Sequence, residues 1–294
     1  MDNQGHGNHW ECIINLNDLP KHLKNLMQNG KLEDKEEVNA IFFDDGIQST
    51  ETLFSISLDG SFSALALIVT NRDKTANEFV SGYPFVRDEE KLQLKITEIK
   101  EWDNKYEAVI IAETKDEQTV SFFDTKYYKN KEKYEIGSYY TFAVSALGYN
   151  VELLKDKTFS FEGQQAVDWL AKIGNEPTFD DKGDVEPVVF DLSKLVAYFP
   201  QQAFPDDAEF QSPISAIEKT SVFQVDFYRF KIQILRDPDI FLNVYAKESF
   251  FDSKPTTDDS LRGFMWLQGY LVETDSPMNH PLIDSSGEPV IITH

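Results

Sequence analysis

His6, His9 and Cys12 form an H-x-x-H-x-x-C run, a spacing that offers three soft or borderline ligands to a transition metal. A closed site needs a fourth ligand, and none stands nearby. The first residues of the run also belong to a Gly-containing arm at 1–11. No metal is therefore expected. His6, His9, His280 and His294 all lie near a terminus, leaving only His22 further in. A general base works from a rigid element with an orienting partner, so this distribution is poor for catalysis.

Carboxylates come in pairs at Asp44–Asp45, Asp180–Asp181, Asp206–Asp207 and Asp258–Asp259. Asp44 and Asp45 end the apolar run AIFF, where metal-binding carboxylates often sit, but Asp-Asp-Gly is also turn chemistry. No Lys or Glu constellation completes a Mg²⁺-dependent nuclease. The chain has no GxxxxGK, strand-linked GxGxxG, GxSxG, HExxH or pair of CxxC motifs. No catalytic residue and no cofactor are expected.

Binding chemistry is better represented. Phe122, Phe123, Tyr127, Tyr128, Tyr139, Tyr140 and Tyr149 surround a loop carrying Lys126, Lys129, Lys131 and Lys133, the densest basic run. Stacked aromatics beside lysines are how single-stranded nucleic acids are held. Tyr127, Tyr128 and the four lysines are therefore the nucleic-acid-binding candidates. Further on, Tyr228, Tyr245, Phe250, Phe251, Phe264, Trp266 and Tyr270 repeat the aromatic richness without the lysines. Such rings suit a protein interface, with Tyr245, Phe251 and Trp266 as candidate anchors.

Charge weighs between the two readings. Fifty-one Asp and Glu against 28 Lys and Arg give a net charge of −23 and a pI near 4.5. This sign repels phosphate backbones and anionic membranes and speeds encounter with a basic partner. From Asp156 to Glu209 there are twelve carboxylates and four lysines. Asp180, Asp181, Asp184, Glu186, Asp206 and Asp207, helped by Asp258 and Asp259, form the candidate acidic face. The leading expectation is a non-enzymatic acidic interaction protein that binds a basic protein surface, of the inhibitor or DNA-mimic type. The alternative is a single-strand nucleic-acid-binding protein using the loop at 126–133.

These residues must be positioned by a β-rich α+β fold. A short strand at ECIINL leads into a helix from Asn17–Asp18, with Leu19, Leu23 and Leu26 at helical spacing and Asn29–Gly30 as its stop. The runs VNAIFF, TLFSISL and FSALALIVT follow as strands, the last two joined by Asp59–Gly60. Two stretches then match, 92–152 and 210–273. Each opens on an Ile-x-x-Ile strand (Ile96 and Ile99; Ile214 and Ile217). Each continues through a long hairpin turning at Lys115–Asp116 or Arg236–Asp239. A strand with an aromatic end, a polar loop with a Gly, and a last strand complete each stretch. The strand order resembles an OB-fold-like Greek-key barrel and suggests an internal duplication.

Between them, Ala166, Trp169, Leu170 and Ile173 mark one face of a helix stopped by Gly174, and Asp191 caps a second helix at DLSKLVAYF. The expected division is an α+β unit at 1–80, a barrel-like domain at 81–155, an acidic helical connector at 156–209, and a second barrel-like domain with a tail at 210–294. A single cysteine excludes an internal disulfide and suits a reducing compartment. No apolar run approaches the roughly 18 residues of a spanning helix, and no secretory leader is visible. A cytoplasmic location with no membrane contact is expected.

Overall fold

A computed structural model describes residues 8–40, 49–58, 62–70, 77–88 and 90–272. The readings at His6, Asp44–Asp45, the Asp59–Gly60 turn, His280, His294 and the tail after Asp275 lie outside the described residues.

Helix α1 (Leu19–Asn29) forms as its leucine spacing predicts, with Pro20 in its first turn and Gly30 N donating to Leu26 O at 2.8 Å. The strand expected before it is instead a 3-10 turn at Asn8–Cys12, with Ile13 N and Ile14 N both donating to Trp10 O at 3.0 Å. The reason is burial. Trp10, Cys12, Ile13 and Ile14 are all buried, and successive residues of a strand point to opposite faces. A coiled turn turns them all inward.

Strands β1 (Lys31–Ala40), β2 (Ser49–Ser57), β3 (Phe62–Thr70) and β4 (Asn77–Val86) form an antiparallel four-stranded sheet in sequential order. β1 starts at Lys31, ahead of the expected start at Val38. Its charged residues are used, because Glu33 pairs with Arg87, and Asp34 with Lys129 at 2.6 Å. β4 was not expected, since Gly82 and Pro84 interrupt its pattern. Both are tolerable because β4 is an edge strand.

β5 (Lys91–Glu101), β6 (Ala108–Glu113) and β7 (Thr119–Asp124) make a meander, followed by the single-turn helix α2 (Tyr127–Asn130) and by β8 (Tyr139–Leu153). The connector supplies β9 (Thr158–Phe161), helix α3 (Gln164–Lys172), β10 (Val188–Asp191) and β11 (Ala197–Pro200). β12 (Asp207–Val222), β13 (Val225–Leu235), β14 (Ile240–Lys247) and β15 (Ser260–Leu271) complete the chain. The second connector helix is absent: Asp191 caps only the turn Leu192–Lys194, after which β11 pairs along β12.

Strands from both matching stretches share one mixed sheet of nine strands with ring-like pairing. β5, β6, β7, β15 and β8 close one ring of pairings; β12, β13, β14, β8 and β15 close the other. Exchanging the two stretches maps each pairing onto another, and the registers agree. Leu92 faces Phe142 as Phe210 faces Gly263. Phe123 beside Gln268 corresponds to Tyr245 beside Leu147, both in parallel pairs. A register shift follows Ile96 in β5 and Ile214 in β12.

The stretches also share one core, in which Ile96, Ile110, Phe122 and Val144 join Ile214, Phe230, Val244 and Met265. The opposite face is apolar too. Phe123, Leu147, Tyr245 and Trp266 lie there, sealed by Trp10, Ile13, Phe62, Tyr83 and Phe85 of the N-terminal unit. No helix among the described residues is long and apolar enough to cross a membrane.

Candidate partner-binding surface

The aromatic anchors read from the second stretch are mostly internal. Trp266 is fully buried; its Nε1 donates to Asp206 Oδ2 at 2.9 Å and its ring stacks on His9 at 4.1 Å. Tyr245 is buried and donates to Asp88 Oδ2 at 2.8 Å. The same Asp88 accepts from Asn243 at 2.8 Å and faces Arg229 Nη2 at 3.5 Å. Phe251 is half-buried against Phe230 and Tyr228. These rings join the N-terminal unit to the sheet or fill its core, which corrects their reading as exposed anchors. Asp206 is likewise interior, and burial pushes its carboxyl up. Asp207 lies 3.6 Å from His9 Nε2.

The nucleic-acid candidates are also redirected. Tyr127 and Tyr128 are buried, their hydroxyls donating to Glu101 at 3.0 Å and to Ser55 at 2.5 Å. A one-turn helix laid on a sheet buries both neighbouring rings, so neither offers a face for base stacking. Lys126 lies over the Phe85 and Tyr270 rings, and burial lowers its pKa. Lys129 is paired with Asp34. Lys131 Nζ donates to Lys105 O at 3.2 Å, and Lys133 Nζ to Asn130 Oδ1 at 3.1 Å. Of the metal-like run, His9 meets Trp266 and Asp207 whereas Cys12 Sγ points at Leu147 O, 3.9 Å away. No group of three His, Cys, Asp or Glu side chains among the described residues could hold a metal.

The connector presents its charge outward. β9 and β10 pair antiparallel, placing Phe159 and Phe161 on one face with Phe190. α3 lays Trp169 on that face, 5.0 Å from Phe190 and 6.0 Å from Phe161. Ala166 is buried, Trp169 and Leu170 are half-buried, and Ile173 is exposed. Between α3 and β10 a small hairpin closes at Phe179 opposite Val185. Asp180 holds its tip, with Oδ1 accepting from Lys182 N and Asp184 N at 2.9 Å. Asp181, Asp184 and Glu186 point to solvent beside Asp180. Asp258 is exposed; Asp259 accepts from Thr256 and pairs with Lys157 at 3.3 Å, tying down the base of the connector.

Sequence reasoning missed the exposed apolar side chains of this segment. Phe179 and Val189 are each 59% exposed, and Phe159 is 49% exposed. Phenylalanines in a Pro-punctuated acidic segment were the available signal. A segment this poor in buried side chains cannot hide its rings, because there is too little chain around them to do so. Rings of this kind supply area that can be desolvated, and the carboxylates beside them supply orientation and sign. Comparison with protein-family models, with curated proteins and with solved structures gives no match for this chain, so the functional reading rests on its geometry.

Proposed function

We propose that this chain is a non-enzymatic interaction protein whose connector engages a basic surface of another protein. The observation that supports it is that one segment carries both exposed apolar side chains, Phe159, Phe179 and Val189, and the exposed carboxylates of Asp181, Asp184 and Glu186. A partner of complementary chemistry carries Lys and Arg around an apolar centre. Where that partner surface normally holds a nucleic acid, occupancy by this acidic face would exclude the phosphate backbone and inhibit it.

The test captures partners from the native host with the wild-type chain and with a Phe179→Ser/Val189→Ser variant, then measures affinity for the purified partner. Two exposed hot-spot side chains are each worth more than about 1 kcal/mol, so the variant should bind at least about tenfold more weakly. Its melting temperature should stay unchanged, because both residues are exposed. Affinity should also fall as salt rises. Equal binding by the variant, or a partner contact that salt leaves untouched, would overturn the reading. Displacement of the partner by duplex DNA would identify the DNA-mimic form.

A further inference from the structure

We propose that a groove on the outer face of the nine-stranded sheet receives a single arginine side chain from a partner molecule. The groove encloses about 480 Å³ and is lined by Asn150, Glu152, Glu209, Phe250, Arg262 and Phe264, among others. It is built by register. Phe199 of β11 faces Glu209 of β12, Glu209 faces Phe264 of β15, and Phe264 faces Tyr149 of β8. Directly opposed residues project to the same side of a sheet, so the four side chains form one row: ring, carboxylate, ring, ring. Tyr149 and Phe264 stack at 6.3 Å with planes 14° apart.

The groove opens where β15 bulges. Gly263 has φ +151°, and a Cβ there would stand 2.4 Å from Asn150 O. A residue with a side chain would force β15 away from β8 at this point.

Charge decides the occupant. Arg262 is already neutralised, because its Nε and Nη2 both reach Glu152 Oε1 at 2.7 Å. Glu209 is exposed and its carboxylate has no ion-pair or hydrogen-bond partner among the described residues. The groove is left with one unpaired negative charge between aromatic walls. Lys247 already sets its ammonium 5.0 Å from the Phe250 ring centre, so one wall makes a cation–π contact within the chain. A guanidinium is the cation that pairs with a carboxylate while stacking on rings.

The corresponding row of the first stretch shows what removes such a site. There Lys91 stands where Glu209 does, Ala143 where Phe264 does, and Tyr270 where Tyr149 does. The backbone scheme is common to both, but only the second copy carries the carboxylate and the second ring. Neither end of the chain can supply the occupant, since neither 1–7 nor 273–294 contains a Lys or Arg.

This inference rests on the preceding reading for the sign of the partner's charge, and it concerns different residues. The experiment titrates the full chain with capped arginine (N-acetyl-arginine methylamide) and with its uncharged isostere, capped citrulline, following backbone amide shifts. Arginine should perturb amides of Asn150–Glu152 and Arg262–Phe264 while citrulline leaves them in place. Glu209→Gln, a conservative change at an exposed position, should weaken arginine binding about tenfold, as expected for the loss of a charge-assisted pair. The Phe179→Ser/Val189→Ser variant should bind capped arginine as the wild type does. Equal response to citrulline, an unaffected Glu209→Gln variant, or shifts that follow the connector variant instead would each overturn the proposal. The connector reading would stand or fall separately, on its own partner assay.

Discussion

Asp124 supplies the sharpest test of the electrostatics of this fold. Its side chain is buried beneath α2, with Oδ1 accepting from Lys126 N at 2.9 Å and Oδ2 from Tyr134 at 2.5 Å. Burial pushes its carboxyl up from 3.8 to about 6, against the downward pull of those hydrogen bonds and of the Lys126 charge. One pKa unit is worth about 1.4 kcal/mol, so the ionised form costs about 3 kcal/mol once pH exceeds both values. The direction follows from proton binding. Between 3.8 and about 6 the folded chain holds this proton and the unfolded chain has released it. The folded state therefore binds more protons, and stability falls as pH rises through that window.

Asp124→Asn removes the titration while keeping one acceptor, at a pH-independent cost of about 1 kcal/mol for the hydrogen bond that is lost or misplaced. Urea unfolding of both proteins should be measured from about pH 5 to about pH 7.5, a range that spans roughly 1 kcal/mol of the total effect. The difference between the two curves isolates Asp124 from the chain's many other carboxylates. The variant should gain about 1 kcal/mol relative to wild type across the range. Parallel curves, or a shift favouring wild type with rising pH, would refute the assignment.

Gly263→Ala should destabilise the fold by about 2 kcal/mol or more, read by calorimetry, because its φ of +151° and the 2.4 Å approach of Asn150 O leave no room for a methyl group. Tyr128→Phe should lower stability by about 1 kcal/mol through loss of its buried bond to Ser55. A labelled single-stranded oligonucleotide at low salt should give no anisotropy change with wild type or with a Lys129→Ala/Lys131→Ala/Lys133→Ala variant. Salt-sensitive binding lost in that variant would restore the nucleic-acid reading of the loop.

Local structure was legible where one period dominated. The leucines of α1 and the stop at Gly30 placed that helix, and the turns at Lys115–Asp116 and Arg236–Asp239 joined β6 to β7 and β13 to β14. The repeat was legible through Ile96 and Ile99 against Ile214 and Ile217. A second signal, Gly148–Tyr149 against Gly269–Tyr270, sits at matching positions of the central β8–β15 pair. The strand misread at ECIINL and the helix misread at DLSKLVAYF failed for one reason: short apolar runs take the conformation their neighbours demand.

The candidate site was legible only in its charge. The carboxylates at 180–186 are exposed because a segment with few apolar residues to bury leaves charge in water, and composition alone dictates that. Rings carry no such instruction. Trp266 and Phe264 stand two residues apart on the same strand and face, yet Trp266 lies under His9 while Phe264 opens into a groove. The amino-acid sequence by itself settled the net charge and the β-rich character, both of which follow from residue type and local spacing. Only the tertiary structure decided which aromatic faces are covered, because the covering residues come from the far end of the chain.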